Sequence, residues 1–298
     1  MKRLLFIYNP GAGKGKIRPV FCDLIQIFAS AEYQVTVVPT RRAGDAQAEI
    51  RRQGMLFDCI VLCGGDGTLH EGINGYVQAL QTGDRLPPLG YLPAGTTNDY
   101  AYSLQIPFQL KRAAKKIMDG KPFYCDAGQF NDRCFAYVAA FGAFTEVAYS
   151  TPRQSKQAFG HLAYVMEGIK QLPAIKGIPM TVRCNGEIFS DRYLYGMVSN
   201  TTSLGGFRGL NRQGRILLND GRFEVILVRE PETLADRSTL MTDLLTLNLD
   251  SRWLKVIQTN RVEFVSPAPV PWTLDGEFGG DCQKTEVSVL RRILPILL

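Results

Sequence analysis

Residues 59–77 read CIVLCGGDGTLHEGINGYV. An unbroken apolar run, Cys59 to Cys63, ends in Gly64-Gly65-Asp66-Gly67-Thr68, and Leu69, Ile73 and Val77 then recur at helical spacing. The run bounded by glycines predicts a strand buried on both faces, and the periodicity after it predicts a helix. Three glycines at such a junction let a ligand approach the backbone closely. The helix N-terminus adds amides without intrahelical partners and the positive end of the dipole. A carboxylate in that loop would repel phosphate unless a divalent metal or a transferable proton lay between them. Asp66 therefore points to Mg²⁺-nucleotide chemistry, and the plainer alternative is a glycine turn with a capping aspartate.

The same alternation runs through the first 120 or so residues. Strands are predicted at Arg3–Tyr8, Gln34–Val38 and Leu89–Leu92, and helices at Gly44–Arg52 and Leu110–Met118. Ile17, Val20, Phe21, Leu24, Ile25 and Phe28 form one further apolar helical stripe. Such alternation predicts a parallel α/β sheet with ligands at the carboxyl ends of its strands. From Phe123 the character changes. Phe135-Ala136-Tyr137-Val138, Thr181–Cys184, Ile188-Phe189, Phe223–Val228 and Val262–Val265 read as strands, with a hairpin signal at Asn185-Gly186. Helical patterns interrupt them near Gln157–Gln171 and Leu240–Leu247.

A chain of 298 residues suits two cores better than one. The expected fold class is α/β in two domains. Residues 1–123 form a parallel α/β nucleotide-binding domain, with 288–298 a candidate return to it, and 124–287 a mainly antiparallel β-sandwich domain.

Composition narrows the partners. The net charge of +6 is spread along the chain, compatible with polyanionic nucleotides or an anionic membrane face, and no basic block suggests nucleic acid. Seven cysteines without regular spacing indicate reduced thiols and a cytoplasmic protein, and two histidines, His70 and His161, are too few for a Cys/His zinc cluster. Lys2-Arg3 before Leu4–Ile7 mimics a signal peptide, but the apolar part stops at Asn9-Pro10. No segment has the length of a transmembrane span, so any membrane contact would be peripheral. A homodimer is compatible with the sequence, which does not specify oligomeric state.

Three further stretches carry polar chemistry. Asn9-Pro10-Gly11-Ala12-Gly13-Lys14-Gly15-Lys16 follows the first strand, yet neither Gly-Lys pair fits a Walker A loop in register. Pro93-Ala94-Gly95-Thr96-Thr97-Asn98-Asp99 is a second glycine turn, placed after its strand as Gly64–Thr68 is after its own; an Asx-capped turn is the alternative. Asp275-Gly276-Glu277 follows the proline-rich Pro267–Pro271. In extended backbone its two carboxylates would share one side, where one could act as a base; a surface turn is the alternative.

These motifs in this order resemble the diacylglycerol kinase catalytic domain family, in particular the soluble bacterial lipid kinases; sphingosine and ceramide kinases share the domain. The resemblance spans NPGAG (9–13), Thr40 before Gly44-Asp45-Ala46, GGDGTLHEGING (64–75), PAGTTNDYA (93–101), FGHLAYVMEGIK (159–170), LLNDGRFEV (217–225) and DGE (275–277). It implies an NAD kinase- or phosphofructokinase-like nucleotide domain and ATP-dependent phosphorylation of a lipid hydroxyl at a membrane surface, with diacylglycerol as the acceptor. ATP would be bound by Asn9, Pro10, Gly11, Ala12, Gly13, Thr40, Gly64, Gly65, Asp66, Gly67, Thr68, Leu69, His70 and Thr96. Asn98 and Asp99 would join the surrounding network. Glu277 would be the proton acceptor, with Asp275 next in line, and Asp66 would place the catalytic Mg²⁺. A structural Mg²⁺ would sit at Leu217, Asp220 and Arg222, the first and last through backbone carbonyls; the alternative for Asn219-Asp220-Gly221 is a hairpin turn. Lys14 and Lys16 would add diffuse positive potential. The chain departs from the family pattern at His70, where asparagine is usual and a capping or surface role is the alternative. It departs also at Tyr137, in place of an asparagine, and at Leu210–Gly214, which lacks a proline.

Overall fold

The computed structural model describes residues 1–143, 176–201, 203–204, 207–208, 217–246, 248 and 250–298. The helix expected near Gln157–Gln171, the stretch 159–170 and the loop Leu210–Gly214 lie outside these residues. The chain divides into two compact units, Met1–Ala127 with Arg291–Leu298, and Gly128–Leu290.

The first unit alternates β1 (Lys2–Tyr8), α1 (Phe21–Ser30), β2 (Tyr33–Pro39), α2 (Asp45–Gln53), β3 (Cys59–Gly64), α3 (Asp66–Gln81), β4 (Leu89–Pro93), α4 (Asp99–Ser103) and α5 (Leu110–Asp119). Every residue of β3 and β4 is buried, as parallel strands covered on both faces must be. On α5, Leu110, Ala113, Ala114 and Ile117 turn inward at helical spacing. Helix α1 begins later than its stripe suggests. Pro19 sits in a 3₁₀ turn, Arg18–Val20, so Ile17 is buried from a loop rather than from the helix. The strands are parallel in the order β2-β1-β3-β4. The order reverses between β1 and β3, which opens a crevice at their carboxyl ends. Past β4, Ile296 pairs in parallel beside Leu89, and Leu298 exchanges two backbone hydrogen bonds of 3.2 Å with Lys121.

Strands β5 (Pro122–Phe130) and β15 (Glu277–Leu297) carry the chain between the units. The second unit holds β6 (Arg133–Phe135), β7 (Val138–Gly142), β8 (Ile178–Cys184), β9 (Glu187–Ser199), the two-residue strands β10 (Ser203–Leu204) and β11 (Phe207–Arg208), then β12 (Phe223–Arg229), α6 (Leu234–Thr246), β13 (Leu254–Thr259) and β14 (Arg261–Leu274). Asn185 and Gly186 both have positive φ, and Cys184 faces Glu187, so β8 and β9 meet in the two-residue hairpin their sequence calls for.

The sandwich expected from the sequence takes a different form. Strands β9 and β14 are 13 and 14 residues long, and each pairs with β8 along one half and β7 along the other. Two sheets are thereby joined into one hydrogen-bonded sheet closed over its core. Trp272 fills that core, its ring 4.8 Å from Phe141 and 5.1 Å from both Phe130 and Phe264. Burial on this scale is worth about 1.5–3 kcal/mol per large side chain.

Candidate active site

Three loops at the carboxyl edge of the first unit's sheet are bonded into one cradle. The loop after β1 is fixed by Asn9, whose amide donates to Cys63 O at 2.8 Å and whose Oδ1 accepts from Gly11 N at 2.9 Å. Thr40, just past β2, donates its amide to Tyr8 O at 2.8 Å and so stands beside this loop. The loop after β4 lies on the loop after β3: Ala94 and Gly95 donate to Gly64 O at 2.8 and 3.1 Å. A Cβ on Gly95 would fall 2.5 Å from Gly65 Cα, so no other residue fits there without displacing backbone. A Cβ on Gly13 would fall 2.1 Å from Ala94 O, at a φ of +54°, which binds the first loop as closely to the third.

Asn98 organises the junction. It is buried in the left-handed region, its Oδ1 accepting from Gly95 N at 3.0 Å and its Nδ2 donating to Gly95 O at 3.0 Å. Its amide donates to Asp66 Oδ2 at 2.9 Å, which places the Asp66 carboxylate at the start of α3. Tyr91 lies beneath, with its hydroxyl 3.2 Å from Gly64 O and 3.3 Å from Asn98 Oδ1. Burial, then the nearby charges of Asp66 and Asp99, raise the Tyr91 phenol well above its ordinary value and keep it a neutral donor. Nothing in the sequence marks Tyr91, a tyrosine inside an apolar strand. Lys16, expected to add only diffuse potential, donates from Nζ to Gly95 O at 3.0 Å.

His70 is neither a cap nor a surface residue. It is buried within α3, its Nε2 3.3 Å from Asn74 Nδ2, and the same amide nitrogen donates to His70 O at 3.0 Å.

In the second unit Asp275-Gly276-Glu277 is a tight hairpin and not extended backbone. Asp275 and Gly276 have φ of 51° and 85°, and Leu274 pairs with Glu277 across the turn. The two carboxylates therefore do not share one side of a strand. Glu277 is exposed, whereas Asp275 is buried and accepts from the amides of Ala136, Tyr137 and Val138 at 2.7–3.1 Å. This capture also breaks the strand expected through Phe135–Val138. Asp275 is thus committed to holding backbone, which does not suit it to be the reserve base. Asp275→Ala should strand three buried amides and cost on the order of 3–5 kcal/mol. The urea midpoint checks this, and a wild-type midpoint would contradict it.

The turn at Leu217–Arg222 connects to the same region. Tyr137 O accepts from Asn200 N at 2.8 Å, and Asn200 Nδ2 reaches Leu218 O at 3.5 Å. Asp220 Oδ1 accepts from Arg222 N at 3.0 Å, the geometry of an Asx turn. Burial, with a smaller push from Asp220, raises the Glu224 carboxyl up to about 7 against the pull of its bond from Gln258.

Among the described residues no group of three His, Cys, Asp or Glu side chains forms a metal cluster. The donors nevertheless suit Mg²⁺, which commonly takes one or two carboxylates and fills its other positions with water or phosphate oxygens. Asp66 could hold one ion together with nucleotide phosphates. Asp220 with the Leu217 and Arg222 carbonyls could hold another, in a place where the crowding of Asp220 and Glu224 favours a cation.

Comparison with known proteins follows the same lines. The family model for the diacylglycerol kinase catalytic domain matches residues 3–130. A diacylglycerol kinase of Bacillus subtilis is 31% identical over 295 residues, covering 98% of this chain and 95% of that protein. One from Staphylococcus aureus is 32% identical over 295 residues, covering 98% and 91%. The crystal structure of a diacylglycerol kinase from Bacillus anthracis superposes with a TM-score of 0.81 at 22% identity, covering 99% of this chain and 96% of that one, which shows a common fold.

Proposed function

Because this chain belongs to the diacylglycerol kinase family, we propose that it transfers the γ-phosphate of ATP to the hydroxyl of diacylglycerol, giving phosphatidic acid. As a member it is a lipid kinase with an alcohol acceptor. The observation that carries the nucleotide half is the cradle in which the stretches Asn9–Lys16, Cys63–Thr68 and Ala94–Asn98 are bonded to one another. Amides of these loops and of the first turn of α3 would receive the phosphates, with Thr40, Leu69, His70 and Thr96 around them. Glu277, exposed on its hairpin, would take the proton of the attacking lipid hydroxyl. The backbone amide of Asn98 holds the Asp66 carboxylate, and Asp99, the first residue of α4, would join the surrounding network. Asp66 would hold Mg²⁺ at the nucleotide, and Leu217, Asp220 and Arg222 would hold a structural Mg²⁺; the ion at the nucleotide would neutralise charge on the phosphate oxygens.

The setting we infer is the cytoplasmic face of a membrane, reached peripherally, in phospholipid metabolism. No helix among the described residues is long and apolar enough to cross a membrane. The test is a panel of acceptors with labelled ATP and Mg²⁺: diacylglycerol, sphingosine, phosphatidylglycerol, undecaprenol and NAD. Label is expected in phosphatidic acid. Transfer to another lipid would keep the kinase and change its substrate, transfer to NAD would overturn the lipid reading, and none at all would leave a nucleotide-binding regulator.

A further inference from the structure

We propose that Lys16 is a positioning residue of the nucleotide site, a clasp that locks the loop after β1 onto the loop after β4 and so sets the width of the cradle. The inference rests on the nucleotide reading above and adds a residue to it.

The contact is built from both ends. The Lys16 backbone is held in a run of turns, with Gly15 N donating to Ala12 O and Arg18 N to Gly15 O, both at 2.9 Å. Its stem lies along Gly13: a Cβ there would sit 2.9 Å from Lys16 Cδ and 3.2 Å from Cε. Both the lysine stem and Ala94 O therefore crowd the space that a side chain at 13 would need. The ammonium then donates to Gly95 O, a carbonyl already receiving Asn98 Nδ2 at 3.0 Å. Since the Asn98 amide donates to Asp66, an unbroken path runs Lys16–Gly95–Asn98–Asp66, from the first loop to the first residue of α3. A charged donor makes the stronger kind of hydrogen bond. Its loss would loosen the first loop against the third, leaving them in contact at Gly13 and Ala94, while Asn98 still held the third loop to Asp66. Nucleotide affinity should therefore suffer more than the chemical step.

Lys14 supplies the control. It carries the same charge two residues away and, like Lys16, is exposed. If the lysines acted only through diffuse potential, removing either would weaken nucleotide binding equally, and salt would erase both effects. If Lys16 is the clasp, Lys16→Met should raise the Kd and KM for ATP about tenfold, the loss of roughly one charged hydrogen bond. Its kcat should stay within about threefold by the same argument. Lys14→Met should cost clearly less, Lys16→Arg should recover part of the loss, and the difference should persist in about 1 M salt, where the screening length is about 3 Å.

The experiment is calorimetric titration with Mg²⁺-ATP beside steady-state kinetics on the full chain, starting with the wild type. A wild type that does not bind ATP removes the nucleotide reading. A wild type that binds, with Lys16→Met equal to it or to Lys14→Met, removes only the clasp. Loss of kcat at unchanged KM would also overturn it, because the lysine would then act on the reacting groups.

Discussion

Asp66→Asn should abolish phosphoryl transfer while the protein stays folded and binds metal-free nucleotide as tightly as the wild type, or more tightly. The carboxylate stands at the start of α3, at the mouth of a cradle suited to anions. A unit charge some 4 Å from a phosphate charge is repelled by about 4 kcal/mol at an effective dielectric of about 20, so without Mg²⁺ the aspartate opposes binding. With Mg²⁺ between them the same carboxylate would become a ligand. Asparagine keeps an oxygen for the Asn98 amide, so the junction should hold. The measurement is nucleotide affinity with and without Mg²⁺, together with turnover. Normal turnover by the folded variant would reduce Asp66 to a turn residue.

The second large effect belongs to Glu277. Glu277→Gln should leave nucleotide affinity unchanged and lower kcat by roughly 10²–10⁴-fold, the usual range for a general base. The side chain is exposed and its backbone is fixed by pairing with Leu274, so the isosteric amide should disturb nothing else. No neighbour on the hairpin stands ready to replace it, because Asp275 is occupied by three backbone amides. Turnover of Asp275→Asn measured beside it separates a base from a brace. If Glu277→Gln turns over at the wild-type rate, the proton goes elsewhere.

The α/β alternation was legible because buried parallel strands and amphipathic helices leave strong, different periodicities, as at Cys59–Gly64 and Leu110–Asp119. The Gly64–Thr68 loop was legible because close backbone approach demands glycine. Other features depend on partners far away in sequence. The break at Ala136-Tyr137 comes from the carboxylate of Asp275, more than 130 positions on. That residue also carries two competing local signals: Asp-Gly between strands favours a two-residue turn, while the prolines before it suggest extended chain. Lys16 reads as a surface charge because its acceptor, a backbone carbonyl, leaves no trace in side-chain identity. The closure of the second unit's sheet was equally hidden, since strand length does not reveal a change of partner midway.

The return of Arg291–Leu298 to the first unit has a kinetic consequence. Until Ile296 reaches Leu89, β4 is an edge strand, open to pairing with other chains, and Asp126 lacks the amide of Arg292 that reaches it at 2.6 Å. On the ribosome that interval spans the synthesis of the whole second unit. About 160 residues separate the two parts of the first unit, roughly 10–30 s at ordinary elongation rates. The first unit is therefore made first and completed last. Its nascent form is the species that a holdase chaperone would meet.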